Sequence, residues 1–212
     1  MMEGLKSRGR GALQGNSGFT LIEMAIVLII IGIIIGAVVK GKDLVRSAEQ
    51  KRLYTTWVRE WEVAFNNYYD RTGWILADDA SNNNGTRDGR CDQSATVVNI
   101  ENQLTRVGLE PPPAGATGSS LVRTYMDSLG VQRTLTIVFD YATNLGNFIR
   151  IDGIPNDLGM ALDRIIDGEM DGTAGDFLYT ADGTAAVPSV AAWPRATTAP
   201  TATAAAILKL QF

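Results

Sequence analysis

Apolar and polar positions divide this chain into blocks. From Phe19 to Val39, twenty-one residues run with only Thr20 and Glu23 as polar side chains. At about 1.5 Å per residue, such a run as helix reaches about 31 Å, one hydrocarbon core. Its dense isoleucines would make a poor helix in water, but in lipid a helix satisfies its own backbone. The pattern then changes. Apolar residues recur at Leu44, Ala48, Tyr54, Trp57, Trp61, Phe65 and Tyr68, mostly three and four apart. That spacing predicts an amphipathic helix over residues 40–72, stopped at Arg71-Thr72-Gly73. Its aromatic stripe is read as the core contact of a globular head spanning residues 73–212.

Within the head, residues 74–93 are rich in Asn, Asp and Gly and read as a solvated loop. Val97, Ile100, Leu104 and Val107 mark a short helix ended by Gly108, and Pro111-Pro112-Pro113 enforces an extended break. Val122–Asp127, Val131–Asp140 and Phe148–Asp152 are β-branched and aromatic, and their short connections imply an antiparallel meander. A short helix from Asn156 and a strand at "DFLYT" follow. From Ala181 to Ala206 the chain turns to Ala, Thr and Pro, read as an exposed loop or poorly ordered tail, with "ILKLQF" returning as an edge strand. The fold expected is α+β: a long N-terminal helix, membrane-spanning in its first half, packed on an antiparallel sheet.

Composition narrows the chemistry. The chain has no histidine and a single cysteine, Cys91. Ser-His-Asp and Cys-His catalysis, intrachain disulfides and CxxC motifs are therefore excluded. With no acid–base or nucleophile constellation in sight, the reading is not an enzyme. The net charge is −4, so no basic footprint for nucleic acid is expected. Lys6, Arg8 and Arg10 precede the apolar run and Lys40, Lys42 and Arg46 follow it, so charge counting leaves its orientation open.

Glu23 is the anomaly, since a carboxylate in hydrocarbon is expensive and demands a partner. The string "SGFTLIEMAIVLIIIG" resembles the N-terminal segment of type IV pilins and type II secretion pseudopilins. The resemblance implies a cytoplasmic leader at residues 1–18, cleavage between Gly18 and Phe19 by a membrane prepilin peptidase, and N-methylation of Phe19. It implies further that Glu23 pairs with the Phe19 amine of a neighbouring subunit as a filament grows. Before assembly the chain would sit in lipid as a single-pass bacterial inner-membrane protein, residues 19–39 spanning and the head periplasmic. A cytoplasmic ATPase and an inner-membrane platform protein would drive its assembly with other pilins into a pseudopilus or extracellular pilus. Gly32 and Gly36 allow close helix approach.

Two functional classes follow: a structural filament subunit, or a minor tip pilin whose head is a binding or adhesion module. One further site is a candidate. Asp167, Glu169, Asp171 and Gly172 match the start of a calcium loop, and Asp176 offers another oxygen, although the twelfth position is Leu178 where a bidentate glutamate would stand. Some pseudopilins bind calcium near the C-terminus, so Ca2+ is the one cofactor in view. An acidic turn between helix and strand is the alternative. The absence of a second cysteine departs from the disulfide-closed loop of many pilins.

Overall fold

The computed structural model describes residues 18–78, 87–91, 97–180, 189–194 and 203–211. The leader up to residue 17, most of the Asn-rich loop (79–86 and 92–96) and the stretches 181–188 and 195–202 lie outside the described residues. Two compact units divide between Val45 and Arg46.

The first unit is helical. Helix α1, Leu21–Leu53, begins in it. The continuous helical stretch Leu21–Thr72 contains an apolar window with a mean hydropathy of 3.0, none of it buried. By length and composition it is long and apolar enough to cross a membrane.

The second unit starts where Arg46 enters α1's last turns. After Leu53 the helix passes through a π-helical turn, Tyr54–Val58, into α2, Arg59–Thr72. The hydroxyls of Thr55 and Thr56 bond back to the carbonyls of Lys51 and Arg52, drawing those carbonyls off the helical ladder where the wider turn forms. Trp57 and Trp61 then point the same way, and both indole N–H groups donate to the Ser120 carbonyl, at 2.8 and 3.1 Å. Trp57, Trp61, Phe65 and Tyr68 are buried as the stripe predicts, but Leu44 is 73% exposed and Ala48 is exposed too. The packed stripe begins at Gln50. Gly73, at φ 70°, closes α2 by donating its N–H to the Tyr69 carbonyl, the left-handed cap that glycine adopts without strain.

Helix α3, Val97–Arg106, follows. Then comes the predicted meander: β1, Val122–Met126; β2, Gln132–Ala142; β3, Gly146–Pro155. Helix α4, Asn156–Ile166, leads to β4, Phe177–Thr180, β5, Val190–Ala191, and β6, Thr203–Lys209. The sheet order is β1-β2-β3-β6-β4-β5, antiparallel throughout. A bulge at Gly153, φ 75°, shifts the β3–β6 register, and any side chain there would run into the Thr134 carbonyl.

Alternate residues serve opposite faces. Leu135, Ile137, Phe139, Ile149, Ile151, Phe177 and Leu208 join the helix stripe in the main core. Ala142, Phe148, Leu178 and Ile207 form a second cluster. On β3, Arg150 alternates with the core residues Ile149 and Ile151. It is 5% exposed and binds Asp140 at 2.7 Å and Asp152 at 2.8 Å.

The C-terminal expectations need correcting. β6 is an interior strand between β3 and β4, not an edge, and it starts at Thr203 inside the Ala/Thr run. Ala205 and Ala206 are buried there because neighbours on both sides supply the packing that alanine's weak strand propensity does not. The preceding stretch is not wholly exposed either. Trp193 donates its indole N–H to Asp163 at 2.7 Å and its ring centroid lies 4.8 Å from that of Tyr179. Gly159 leaves the space this indole fills. The 74–93 segment is also more than a solvated loop: Ile75, Leu76, Ala77 and Cys91 are buried. The Cys91 thiol donates to the Leu76 carbonyl and its N–H to Asn147. A bridge from Cys91 to another subunit would need this thiol to leave the core.

Candidate functional site

The N-terminal segment holds the residues on which processing and assembly were expected to depend. Gly18, Phe19 and Thr20 are non-helical and exposed, Phe19 by 80%, and the helix begins at Leu21. The Gly18–Phe19 peptide therefore lies outside the helical ladder, where a protease reaches it without first unwinding a turn. Among the described residues nothing lies within 4 Å of a side chain built at Gly18.

Glu23 has a partner in its own chain. Thr20 donates both its backbone N–H and its hydroxyl to Glu23 Oε2, each at 2.8 Å. The Glu23 N–H returns to Thr20 Oγ1 at 3.3 Å. With Leu21 as the first helical residue, Thr20 is the N-cap and Glu23 the third helical position. This is a reciprocal capping box, with the carboxylate also at the positive end of the helix dipole. The signal was in the sequence as Thr-x-x-Glu ahead of an apolar run. Reading Glu23 only as a charge in lipid passed over it. The box fixes the carboxylate one turn from Phe19 and holds it at the start of the helix, not in the middle of the apolar run.

Every residue from Leu21 to Val45 is exposed among the described residues. Ile22, Leu28, Ile29, Ile33 and Ile35 are each more than half exposed, and Gly32 and Gly36 have open space around them. An all-round apolar helix with nothing packed on it is a surface built for lipid or for other helices.

The acidic loop behaves differently. Asp167, Glu169, Asp171 and Asp176 share one turn between α4 and β4, but their carboxylates do not converge. Asp167 accepts the N–H groups of Asp176 and Phe177 at 3.0 and 2.8 Å. Asp171 accepts those of Thr173 and Ala174 at 2.9 and 3.0 Å, and these backbone bonds hold its carboxyl below the usual range. Glu169 and Asp176 are exposed. Among the described residues no three His, Cys, Asp or Glu side chains are arranged to hold a metal ion. Asp167 and Asp171 thus cap the loop's own backbone.

Comparison with curated proteins and with solved structures finds no match. A family model does match one stretch. Residues 13–39 carry the prokaryotic N-terminal methylation motif, the prepilin-type signature of type IV pilins and pseudopilins.

Proposed function

We propose that the chain is a structural subunit of a pilus-like or pseudopilus filament, cut between Gly18 and Phe19 by prepilin peptidase and N-methylated on Phe19. The observation that carries this is the methylation motif lying on an apolar helix with no cover of its own. Such a helix has two stable environments, lipid before assembly and neighbouring helices after it. The leader stays cytoplasmic, the head crosses to the periplasm, and a membrane platform with its ATPase moves the subunit from one environment to the other.

Glu23 links the two states. In the membrane its charge is held by Thr20 and the helix terminus. Cleavage frees the primary α-amine of Phe19 and N-methylation makes it secondary, mostly cationic at neutral pH in either form. A neighbour's amine meeting this carboxylate in low dielectric is favoured over two isolated charges, and only one docking position neutralises both. The Thr20 amide survives cleavage, so the cap can hold the carboxylate until the neighbour arrives.

The test is N-terminal peptide mass spectrometry on sheared surface filaments and on inner membranes. N-methylated Phe19 in both fractions supports the reading. An uncut leader in both overturns it. Methylated Phe19 abundant in sheared filaments marks a major subunit, and methylated Phe19 confined to membranes marks a pseudopilin or minor pilin.

A further inference from the structure

The turn between β1 and β2 is rigid and apolar at once. Asp127 Oδ1 accepts the N–H groups of Leu129 and Val131 at 3.0 and 2.9 Å, and Oδ2 takes the Arg133 Nε–H at 2.9 Å. The Asp127 N–H bonds the Val131 carbonyl, the Gly130 N–H bonds the Asp127 carbonyl, and Gly130 sits at φ 79°. This frame holds Leu129 outward, 71% exposed, with Met126 at 54% and Val131 at 45% beside it. Of the seven large apolar side chains exposed among the described residues from Arg46 onward, three stand on this one turn. The frame is made by Asp127, Arg133 and the glycine, and none of its side-chain bonds calls for an apolar residue at Leu129. An apolar trio mounted on it is a preorganised anchor, the kind of group that concentrates binding energy at interfaces.

A receptor for it exists on the same chain. A groove of about 430 Å³ runs between α2 and the proline segment, lined by Val63, Ala64, Pro111 and Pro113 and rimmed by Glu60 and Glu110. Val63 is itself one of the seven exposed apolar residues. The rim is acidic, and the strand leaving the turn carries Arg133. The turn cannot fill its own groove. It lies beside Asp157, whose carboxylate meets the Ser128 backbone and binds Arg46 at 2.6 Å. The groove lies at Glu60–Asn67, a helical rise of roughly 20–30 Å beyond Arg46.

We propose that Leu129, with Met126 and Val131, inserts into the groove between α2 and Pro111–Pro113 of a second copy of the chain, with Arg133 facing Glu60 and Glu110. Knob and groove are different patches, so the contact is heterologous. Each contact leaves the first copy's groove and the second copy's knob free, so it propagates as an open chain instead of closing as a dimer. This rests on the filament reading above and adds to it a head-to-head contact independent of the apolar helix.

The test is cysteine cross-linking of the full-length chain in cells that make the filaments, with Leu129→Cys and Val63→Cys separately and together. The double variant should give a ladder of multimers on oxidation. Each single variant alone should give none, and the two singles mixed should stop at dimers. A dimer from Leu129→Cys alone would overturn the proposal, because the turns would then meet each other. Absence of any ladder in a sheared fraction that contains methylated Phe19 would also overturn it while leaving the filament reading standing. An uncut leader in both the sheared and the membrane fraction would overturn both. Leu129→Asp, with Cys91 as its only thiol, should reduce sheared filaments at least tenfold while precursor level and leader cleavage stay unchanged. Filament yield equal to the parent would count against the contact.

Discussion

The helix up to Val45 and the head from Arg46 are built on opposite terms. In the head, both faces of the sheet bury side chains, and even a guanidinium, that of Arg150, is enclosed between carboxylates. Along the first helix every residue from Leu21 to Val45 is exposed, yet its composition is the more apolar of the two. Burial follows hydrophobicity only where the chain supplies its own partner. Where the two part company, the partner lies outside the chain, as lipid or another subunit. Changes in the buried parts of the head should therefore register as stability, and changes in the first helix as assembly.

The largest effect expected is at Arg150. Arg150→Met leaves Asp140 buried without its cation, and losing one member of a buried pair costs about 3–5 kcal/mol. Chemical denaturation of the full-length chain in detergent, followed by tryptophan fluorescence, would measure it. A change under about 1 kcal/mol would mean that water reaches this face and weakens the contrast drawn here. Gly159→Ala is next. A methyl there overlaps the Trp193 ring, and such overpacking costs about 1–3 kcal/mol. The same titration should show that loss together with a red-shifted emission as Trp193 is displaced.

Glu23 sharpens the comparison from the other side. Glutamine still completes a capping box, so Glu23→Gln keeps the helix start and removes only the charge. Leader cleavage and head stability should be unchanged while sheared filament yield falls at least tenfold. Thr20→Ala does the reverse, loosening the cap and leaving the charge, and its effect on yield should be smaller. If Glu23→Gln assembles normally, charge pairing has no part in docking.

The smallest effect is a pH dependence. Burial raises the Asp163 carboxyl above its ordinary value, with Asp167 and Asp171 adding to the rise and the Trp193 and Gly172 N–H groups opposing it. A raised folded value contributes stability that is fully present below the unfolded value and is lost as pH rises through the folded one. Asp171 is shifted the other way, so its contribution is lost on acidification. In the parent chain the two partly cancel. Asp163→Asn removes the first, so its denaturation midpoint should fall more steeply than the parent's between neutrality and the ordinary carboxylate range. Parallel profiles would show that Asp163 does not titrate with the fold.

Legibility in the sequence followed the same divide. The apolar run, the stop at Gly73 and the β1–β3 meander are local: periodicity, glycine chemistry and β-branching specify them without reference to distant residues. The capping box was equally local, in Thr20 and Glu23. What stayed hidden depends on remote partners. Ala205 and Ala206 look like linker until β3 and β4 stand on either side, and Trp193 looks stranded in low complexity until Gly159 and Asp163 receive it. The π-helical turn has no propensity signature. It appears where two tryptophans must reach one carbonyl. The Leu129 turn was visible as a short glycine connection, but nothing local showed that its apolar tip would be left uncovered.

The position of β6 has a consequence for how the head comes into being. The strand that joins β3 to β4 follows every other strand in chain order. During synthesis the β1–β3 meander can pair as it emerges, and β4 can pair with β5, but the two pieces cannot join until β6 has been made and threaded between β3 and β4. Pairing over such sequence distances is slow. Until it is complete, β3 and β4 each present an open strand edge. The head therefore has an interval of vulnerability to proteases and to mispairing with other copies, and truncation within β6 should leave two sheet fragments in place of one shortened sheet.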